Sequence, residues 1–124
     1  MCNKIDAFEM WCYRRMLKVS WMDKVTNKEV LNRIQADLHF MKKMRKRKLE
    51  FAGHVLRESS GRAHLYILEG KVEGKRGRGR PRRNWMSEIV EWTNLKTYEM
   101  VKRTANDRGR WKSMLVNLLT EDDR

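Results

Sequence analysis

The segment Lys75–Arg83 has the residue types and the spacing to bind phosphate. It reads K-R-G-R-G-R-P-R-R and holds six cations, two glycines and the only proline of the chain. A hydrophobic core cannot accommodate this charge density, so the side chains must face solvent or a polyanion. The glycines let the backbone lie close to whatever it meets. We therefore predict that this segment contacts nucleic acid through Lys75, Arg76, Arg78, Arg80, Arg82 and Arg83.

Within this segment, Arg78–Pro81 contains the Gly-Arg-Pro core of an AT-hook. An extended Arg-Gly-Arg can lie in a narrow A·T minor groove, where the negative potential is enhanced. Such short cores also arise by chance in basic proteins. Two interpretations therefore stay open at this point: an A·T-selective contact, and a solvated glycine-rich connector with generic cations.

A second basic cluster lies at Lys42–Lys48, where six of seven residues are basic. The run covers nearly two turns of a predicted helix on all sides, so part of it occupies the side that should pack. Either this helix projects into solvent, or that side meets phosphate in a salt-dependent contact that is largely independent of base sequence. The predicted second contact surface consists of Lys42, Lys43, Arg45, Lys46, Arg47 and Lys48.

The overall composition agrees with a polyanionic partner. The 124 residues include 29 basic and 16 acidic ones, which gives a net charge of +13. This excess favours nucleic acid over an anionic membrane face. No apolar run approaches the roughly 18 residues that a bilayer span needs, and the start M-C-N-K-I-D lacks the apolar core of a secretory signal. Two cysteines without a secretory context indicate reduced thiols. We expect an intracellular protein, nuclear or cytoplasmic, that is not secreted and has no membrane partner.

Residue patterns that would indicate catalysis or metal binding are weak. His39, His54, His64 and the two cysteines lack the close spacing of zinc ligands. Asp122–Asp123 is similar to a polymerase Asp-Asp pair, but it lacks the flanking aromatic residue and strands. Walker and G-x-S-x-G motifs are also missing from the sequence. The prediction is a chain without catalysis of its own, with no metal, no cofactor and no small-molecule substrate.

Hydrophobic periodicity predicts that helices carry the cations. In the first segment apolar residues recur with spacings of 3, 4, 4 and 3, which is a helical stripe: Ile5, Phe8, Cys12, Met16 and Val19. Thr26 opens T-N-K-E, a capping box. Asp37 is predicted to cap the longest helix, which runs to about Leu56. The segment Arg62–Leu68 is short and ambiguous, with a helical turn favoured over a strand.

The C-terminal part also shows helical signals. Pro81 suits the first position of a helix, because its missing amide would be unpaired there anyway, and Thr97 and Asp107 suit the caps of two further helices. The final helix carries an apolar stripe from Trp111 to Leu119. The predicted fold is all-α, a small bundle of about five to six helices with a Gly/Arg-rich basic arm. Its parts are a helical region at 1–68, the arm at 69–80 and a helical region at 81–124 that forms one compact unit with the first. The five tryptophans are interpreted as core or inter-helix anchors, since only an exposed one could stack on an unpaired base.

Five landmarks carry a resemblance to a known family. They are D-A-F-E-M-W-C-Y-R-R-M-L-K-V-S-W at 6–21, T-N-K-E-V-L at 26–31, R-K-L-E-F-A-G-H-V-L-R at 47–57, L-E-G-K-V-E-G-K-R-G-R-G-R-P-R at 68–82 followed by Trp85, and A-N-D-R-G-R-W at 105–111. In this order they resemble the C-terminal region of the endonuclease/reverse transcriptase polyprotein of non-LTR retrotransposons, the long interspersed elements.

The resemblance implies a role beside an RNA-directed DNA polymerase. The similar region follows the polymerase and would help to grip template RNA or target DNA. No residue here matches the catalytic domains of the parent, so the parent activity is not carried over, and the Cys/His zinc knuckle of some family members has no counterpart in the spacing here. Two alternatives stay open: a tail that docks on the reverse transcriptase domain, and a non-functional truncated element copy.

Overall fold

The protein is all-helical in the part of the chain that the structure, a computed structural model, describes: residues 2–59, 61–71, 73–75, 77–80 and 84–121. These ranges contain seven α-helices and one short 3-10 helix, and they contain no strand, which confirms the predicted fold class with one or two helices more than expected. The elements are α1 (Cys2–Met16), a 3-10 turn (Trp21–Asp23), α2 (Asn27–Ile34), α3 (Phe40–Leu56), α4 (Arg62–Leu68), α5 (Trp85–Thr93), α6 (Tyr98–Asn106) and α7 (Arg108–Glu121).

The chain divides into two compact units, residues 1–45 and 46–124, with the boundary inside α3. The predicted division into 1–68, an arm at 69–80 and 81–124 stays a prediction. Among the described helices, none is both long enough and apolar enough to cross a membrane.

The first unit has a small core in which α1 packs on α2. Met10, Tyr13 and Val30 are buried. Helix α2 begins after Thr26, whose hydroxyl accepts a hydrogen bond from the amide of Glu29 at 3.3 Å, so the Thr26 half of the predicted capping box is confirmed. The Glu29 carboxylate accepts a hydrogen bond from Arg33 at 2.8 Å. The helix predicted from the apolar stripe is confirmed, but two members of that stripe, Phe8 and Met16, are 55% and 73% exposed.

The buried face of α1 instead contains a carboxylate. Glu9 is fully buried and accepts hydrogen bonds from the Tyr13 hydroxyl at 2.8 Å and from the backbone amides of His39 at 3.0 Å and Phe40 at 2.9 Å. Those amides are among the unpaired donors at the start of α3. The cap of α3 therefore comes from α1 and not from Asp37, and α3 begins two residues later than that cap would place it.

Burial alone raises the pKa of Glu9, since it penalises the charged form. The hydrogen bonds from His39, Phe40 and Tyr13 outweigh that penalty, so the net pKa lies below the ordinary value. Burial, followed by the hydrogen bond to Glu9, raises the pKa of Tyr13 to about 12. Glu9 is therefore an ionised carboxylate inside the first unit.

The second unit has the larger core, built from five helices. Thr97 accepts a hydrogen bond from the amide of Met100, and Asp107 accepts one from the amide of Arg110, which confirms both predicted caps. Helix α5 begins at Trp85 after Asn84, and Pro81, the predicted start, lies outside the described residues. The buried hydrophobic residues are Leu49, Ala52, Val55, Leu56, Leu65, Met86, Ile89, Val101, Ala105, Trp111 and Leu115.

Helices α3 and α7 pack closely against each other in this core. Trp111 is 3% exposed, and its indole N–H donates to the backbone carbonyl of Leu49 at 3.1 Å. A Cβ atom at Gly53 would lie 2.4 Å from that indole nitrogen. Glycine at this position is what lets the indole reach the backbone of α3.

Candidate nucleic-acid interface

The predicted cluster on α3 is divided by the boundary between the units. In the first unit Lys43 is exposed, whereas Lys42 and Arg45 are half-buried. In the second unit Lys46 and Arg47 are exposed. Lys43, Lys46 and Arg47 are the members whose charges face solvent most fully.

Lys48 has a different environment from the rest of its cluster. Its ammonium forms an ion pair with Glu88, and both side chains are less than one-fifth exposed. The same ammonium lies 5.1 Å from the ring centre of Trp85 and 4.9 Å from that of Trp92. A cation between two indoles, neutralised by a carboxylate, joins α3 to α5 inside the second unit. In this arrangement the charge of Lys48 is already matched within the protein.

The described part of the Gly/Arg-rich segment is exposed and lies outside any helix. Lys75, Arg78 and Arg80 face solvent, and residues 78–80 form a bend. Gly79 has a φ of +136°, a conformation that residues with side chains rarely adopt. Arg76, Arg82 and Arg83, also predicted to bind nucleic acid, lie outside the described residues.

The chain leading into this segment is fixed to α6 through Glu69. Its carboxylate accepts hydrogen bonds from the Tyr98 hydroxyl at 2.6 Å and from Lys102 at 3.0 Å, and it pairs with Lys71 at 2.5 Å. These three donors, Lys71 first, lower the pKa of Glu69 to about 2. The carboxylate therefore stays ionised and holds Gly70 and Lys71 beside the second unit's core at physiological pH.

A cleft in the first unit combines aromatic rings with cations, and the sequence reasoning missed it as a site. It has a volume of about 890 Å³. The residues that give it this character are Trp11, Arg14, Arg15, Lys18 and Trp21. Trp21 is 86% exposed and Trp11 is 55% exposed. The signal is present in the sequence as two tryptophans ten positions apart with three cations between them. The tryptophans were instead predicted to be core or inter-helix anchors, and the segment 6–21 served as a family landmark.

The two exposed tryptophans correct one prediction. Trp111 is a core anchor as expected, and Trp85 and Trp92 are half-buried and pack against the same core. Trp11 and Trp21 are not anchors, because most of each side chain faces solvent. The Trp11 ring already stacks on Phe8, with ring centres 6.0 Å apart. Trp21, which is 86% exposed, is therefore the indole that is more available to stack on another flat ring.

A second cleft, of about 290 Å³, lies between α3, α4 and the start of α5. Phe51 and Trp85 meet there edge to face with ring centres 6.2 Å apart. Apolar side chains dominate its lining, and the described residues that line it include neither lysine nor arginine.

Comparisons with known proteins find no matching family model, no matching curated protein and no matching solved structure. Among the described residues, no group of three or more His, Cys, Asp or Glu side chains is placed to hold a metal ion.

Proposed function

We propose that this chain is a non-catalytic nucleic-acid-binding module that grips RNA or DNA through phosphates. The observation that carries the proposal is a large positive charge excess whose cations are displayed to solvent. The net charge is +13, and the predicted contact residues that are exposed are Lys43, Lys46, Arg47, Lys75, Arg78 and Arg80. Cations held in solvent attract the phosphate backbone and release its counterions, whatever the base sequence.

This chain resembles the region that follows the polymerase in non-LTR retrotransposon polyproteins, and this resemblance suggests where the module acts. There it would serve an RNA-directed DNA polymerase by gripping template RNA or target DNA. The basic segment supports this, since its entry is fixed through Glu69 while Lys75, Arg78 and Arg80 face solvent.

A second candidate function is a tail that docks on the polymerase domain. The observation that favours it is apolar exposure in the first unit, where Phe8, Met16 and Met22 are each more than half exposed. Apolar surface of this kind marks interaction sites on soluble proteins. A chain that aggregates alone, and is rescued by a reverse transcriptase domain, would favour this function.

The test of phosphate binding is affinity as a function of salt. If about four cations each neutralise a phosphate, log K should fall against log salt with a slope of about −3 to −4 for duplex DNA. Replacing Arg78 and Arg80 by Ala should reduce the steepness of that slope by about one per lost contact. A flat salt response, or no binding at low salt, overturns the proposal.

Two variants that lose the same charge test whether binding depends on particular α3 cations or only on the net charge. The first replaces Lys43, Lys46 and Arg47 by Ala, and the control replaces Lys28, Lys96 and Lys112, which are also exposed. Both variants lose three positive charges. The first should weaken binding much more than the control, whereas equal losses would show that only the total charge matters.

A further inference from the structure

The cleft between Trp11 and Trp21 has features that phosphate binding alone does not require. We infer that it binds unpaired nucleobases of single-stranded nucleic acid by stacking, an inference that rests on the proposed function and names its substrate class. Single-strand-binding proteins combine aromatic platforms for bases with cations that follow the backbone. Both features meet at this cleft.

Trp21 is held firmly although its ring is exposed. It starts a 3-10 turn closed by a capping box, in which the Ser20 amide donates to Asp23 at 2.7 Å and the Ser20 hydroxyl accepts from the Met22 amide at 3.3 Å. The backbone of Trp21 is therefore ordered without any contribution from packing of the ring, which is 86% exposed. The backbone that carries this indole is therefore positioned before a ligand arrives, which lowers the ordering cost of stacking.

The opposite part of the cleft is also fixed. Helix α1 ends in a turn in which Lys18, at φ +55°, donates its amide to Arg15 at 3.2 Å and Val19 donates to Arg14 at 3.0 Å. Arg14 donates to the Val25 carbonyl at 2.7 Å and to the Asn27 side chain at 2.8 Å. These bonds tie the end of α1 to the chain entering α2, so the cleft exists before any ligand arrives.

The cations of the cleft divide into a structural and a ligand-facing group. Arg14 is committed to the bonds just described. Arg15 and Lys18 are exposed, and the Arg15 guanidinium lies 5.6 Å from the ring centre of Trp11. A guanidinium beside an indole can stack on a base and bond to the adjoining phosphate.

The charge of the lining favours a nucleic acid over a protein partner. Arg14, Arg15 and Lys18 line the cleft, and the described lining residues include no carboxylate. A ligand that supplies flat rings and regularly spaced negative charge complements this surface on both counts. Duplex DNA is a poor match, because its bases are already stacked on one another.

The experiment compares two strands with the same number of phosphates. One is a single strand of about 12 nucleotides, within the site sizes of known single-strand binders, and the other is an abasic strand of the same length. The base-bearing strand should bind about 5- to 150-fold more tightly, the gain typical of one stacked base. Trp21→Ala should remove most of that preference while leaving the affinity for the abasic strand unchanged.

Met22→Ala is the matched control, because Met22 is apolar, 68% exposed and adjacent to Trp21 but does not line the cleft. It should retain the preference for bases. If the wild-type chain binds both strands equally, or if Trp21→Ala keeps the preference, the inference is overturned and the proposed function stands. If neither strand binds at low salt, the proposed function fails and this inference with it. If the cleft binds a protein instead, the wild-type chain should bind the base-bearing and the abasic strand equally.

Discussion

The buried carboxylate of Glu9 should be the most sensitive position of the first unit. It accepts hydrogen bonds from three groups, the Tyr13 hydroxyl and the amides of His39 and Phe40, and it is fully buried. The His39 imidazole Nδ1 also lies 3.0 Å from it. Hydrogen bonds to a charged group are worth about 1.5–3 kcal/mol each and are not additive. Loss of a helix cap costs about 0.5–2 kcal/mol. Glu9→Ala removes all three acceptor contacts and should destabilise the unit by about 3–5 kcal/mol, the range for breaking a buried network.

Glu9→Gln keeps the shape and removes the charge. One carbonyl oxygen can still accept, so the cost should be about 1–3 kcal/mol near neutral pH. Native-state hydrogen exchange measures this locally, because the His39 and Phe40 amides should lose protection before those of the second unit. The control is Glu29→Gln, the same chemical change at a carboxylate that is half exposed and pairs with Arg33 at 2.8 Å. That change should cost less than about 0.5 kcal/mol.

The pH dependence gives a second, independent check. Because the pKa of Glu9 is lower in the folded chain than its ordinary value of 4.5, its stabilising effect is fully present above that value. It is lost as pH falls through the folded pKa. The difference in the free energy of unfolding between wild type and Glu9→Gln should therefore become smaller as the pH falls below about 4.5. Unchanged protection of His39 and Phe40 in Glu9→Gln, or a difference that does not depend on pH, would refute the capping role.

Two further predictions concern the second unit. Gly53→Ala should destabilise it by about 1–3 kcal/mol, because the new Cβ would lie 2.4 Å from the Trp111 indole nitrogen. Denaturant unfolding measures this change. Stabilisation by about 1 kcal/mol, which is typical of alanine at an open helix site, would contradict the close approach. Wild type should lose stability between about pH 4.5 and 2, since the Glu69 pKa is held near 2, and acid titration of the unfolding midpoint should show a smaller loss in Glu69→Gln.

Local signals in the sequence predicted the secondary structure well. The caps at Thr26, Thr97 and Asp107 involve partners three residues away, so the chain carries each interaction within one turn. The stripe of α7 was also predicted, and Trp111 and Leu115 are its buried members. These features depend on spacing alone and are therefore readable without tertiary information.

Features set by distant partners were not predictable. The buried face of α1 is decided by Glu9, whose amide partners lie 30 and 31 residues further along the chain. Lys48 was assigned to a phosphate-binding surface, but its partner Glu88 is 40 residues away. In both cases a charged side chain is engaged inside the fold by groups that no local pattern indicates. A run of like charges therefore predicts that cations are present, and only the fold decides which of them face solvent.

Cations lie beside indoles at two places in the chain, and a carboxylate accompanies them at only one of the two. In the second unit the Lys48 ammonium lies beside Trp85 and Trp92, and Glu88 completes the arrangement with a carboxylate from the same unit. In the first unit Arg15 lies beside Trp11, and they share a cleft with Lys18 and Trp21 that no acidic residue lines in the described part of the chain. In the second unit the carboxylate of Glu88 neutralises the charge of Lys48 and both tryptophans are half-buried, as expected for a structural contact. In the first unit Trp21 is 86% exposed and the described lining residues include no carboxylate, which is the arrangement that our proposal of base and phosphate binding requires.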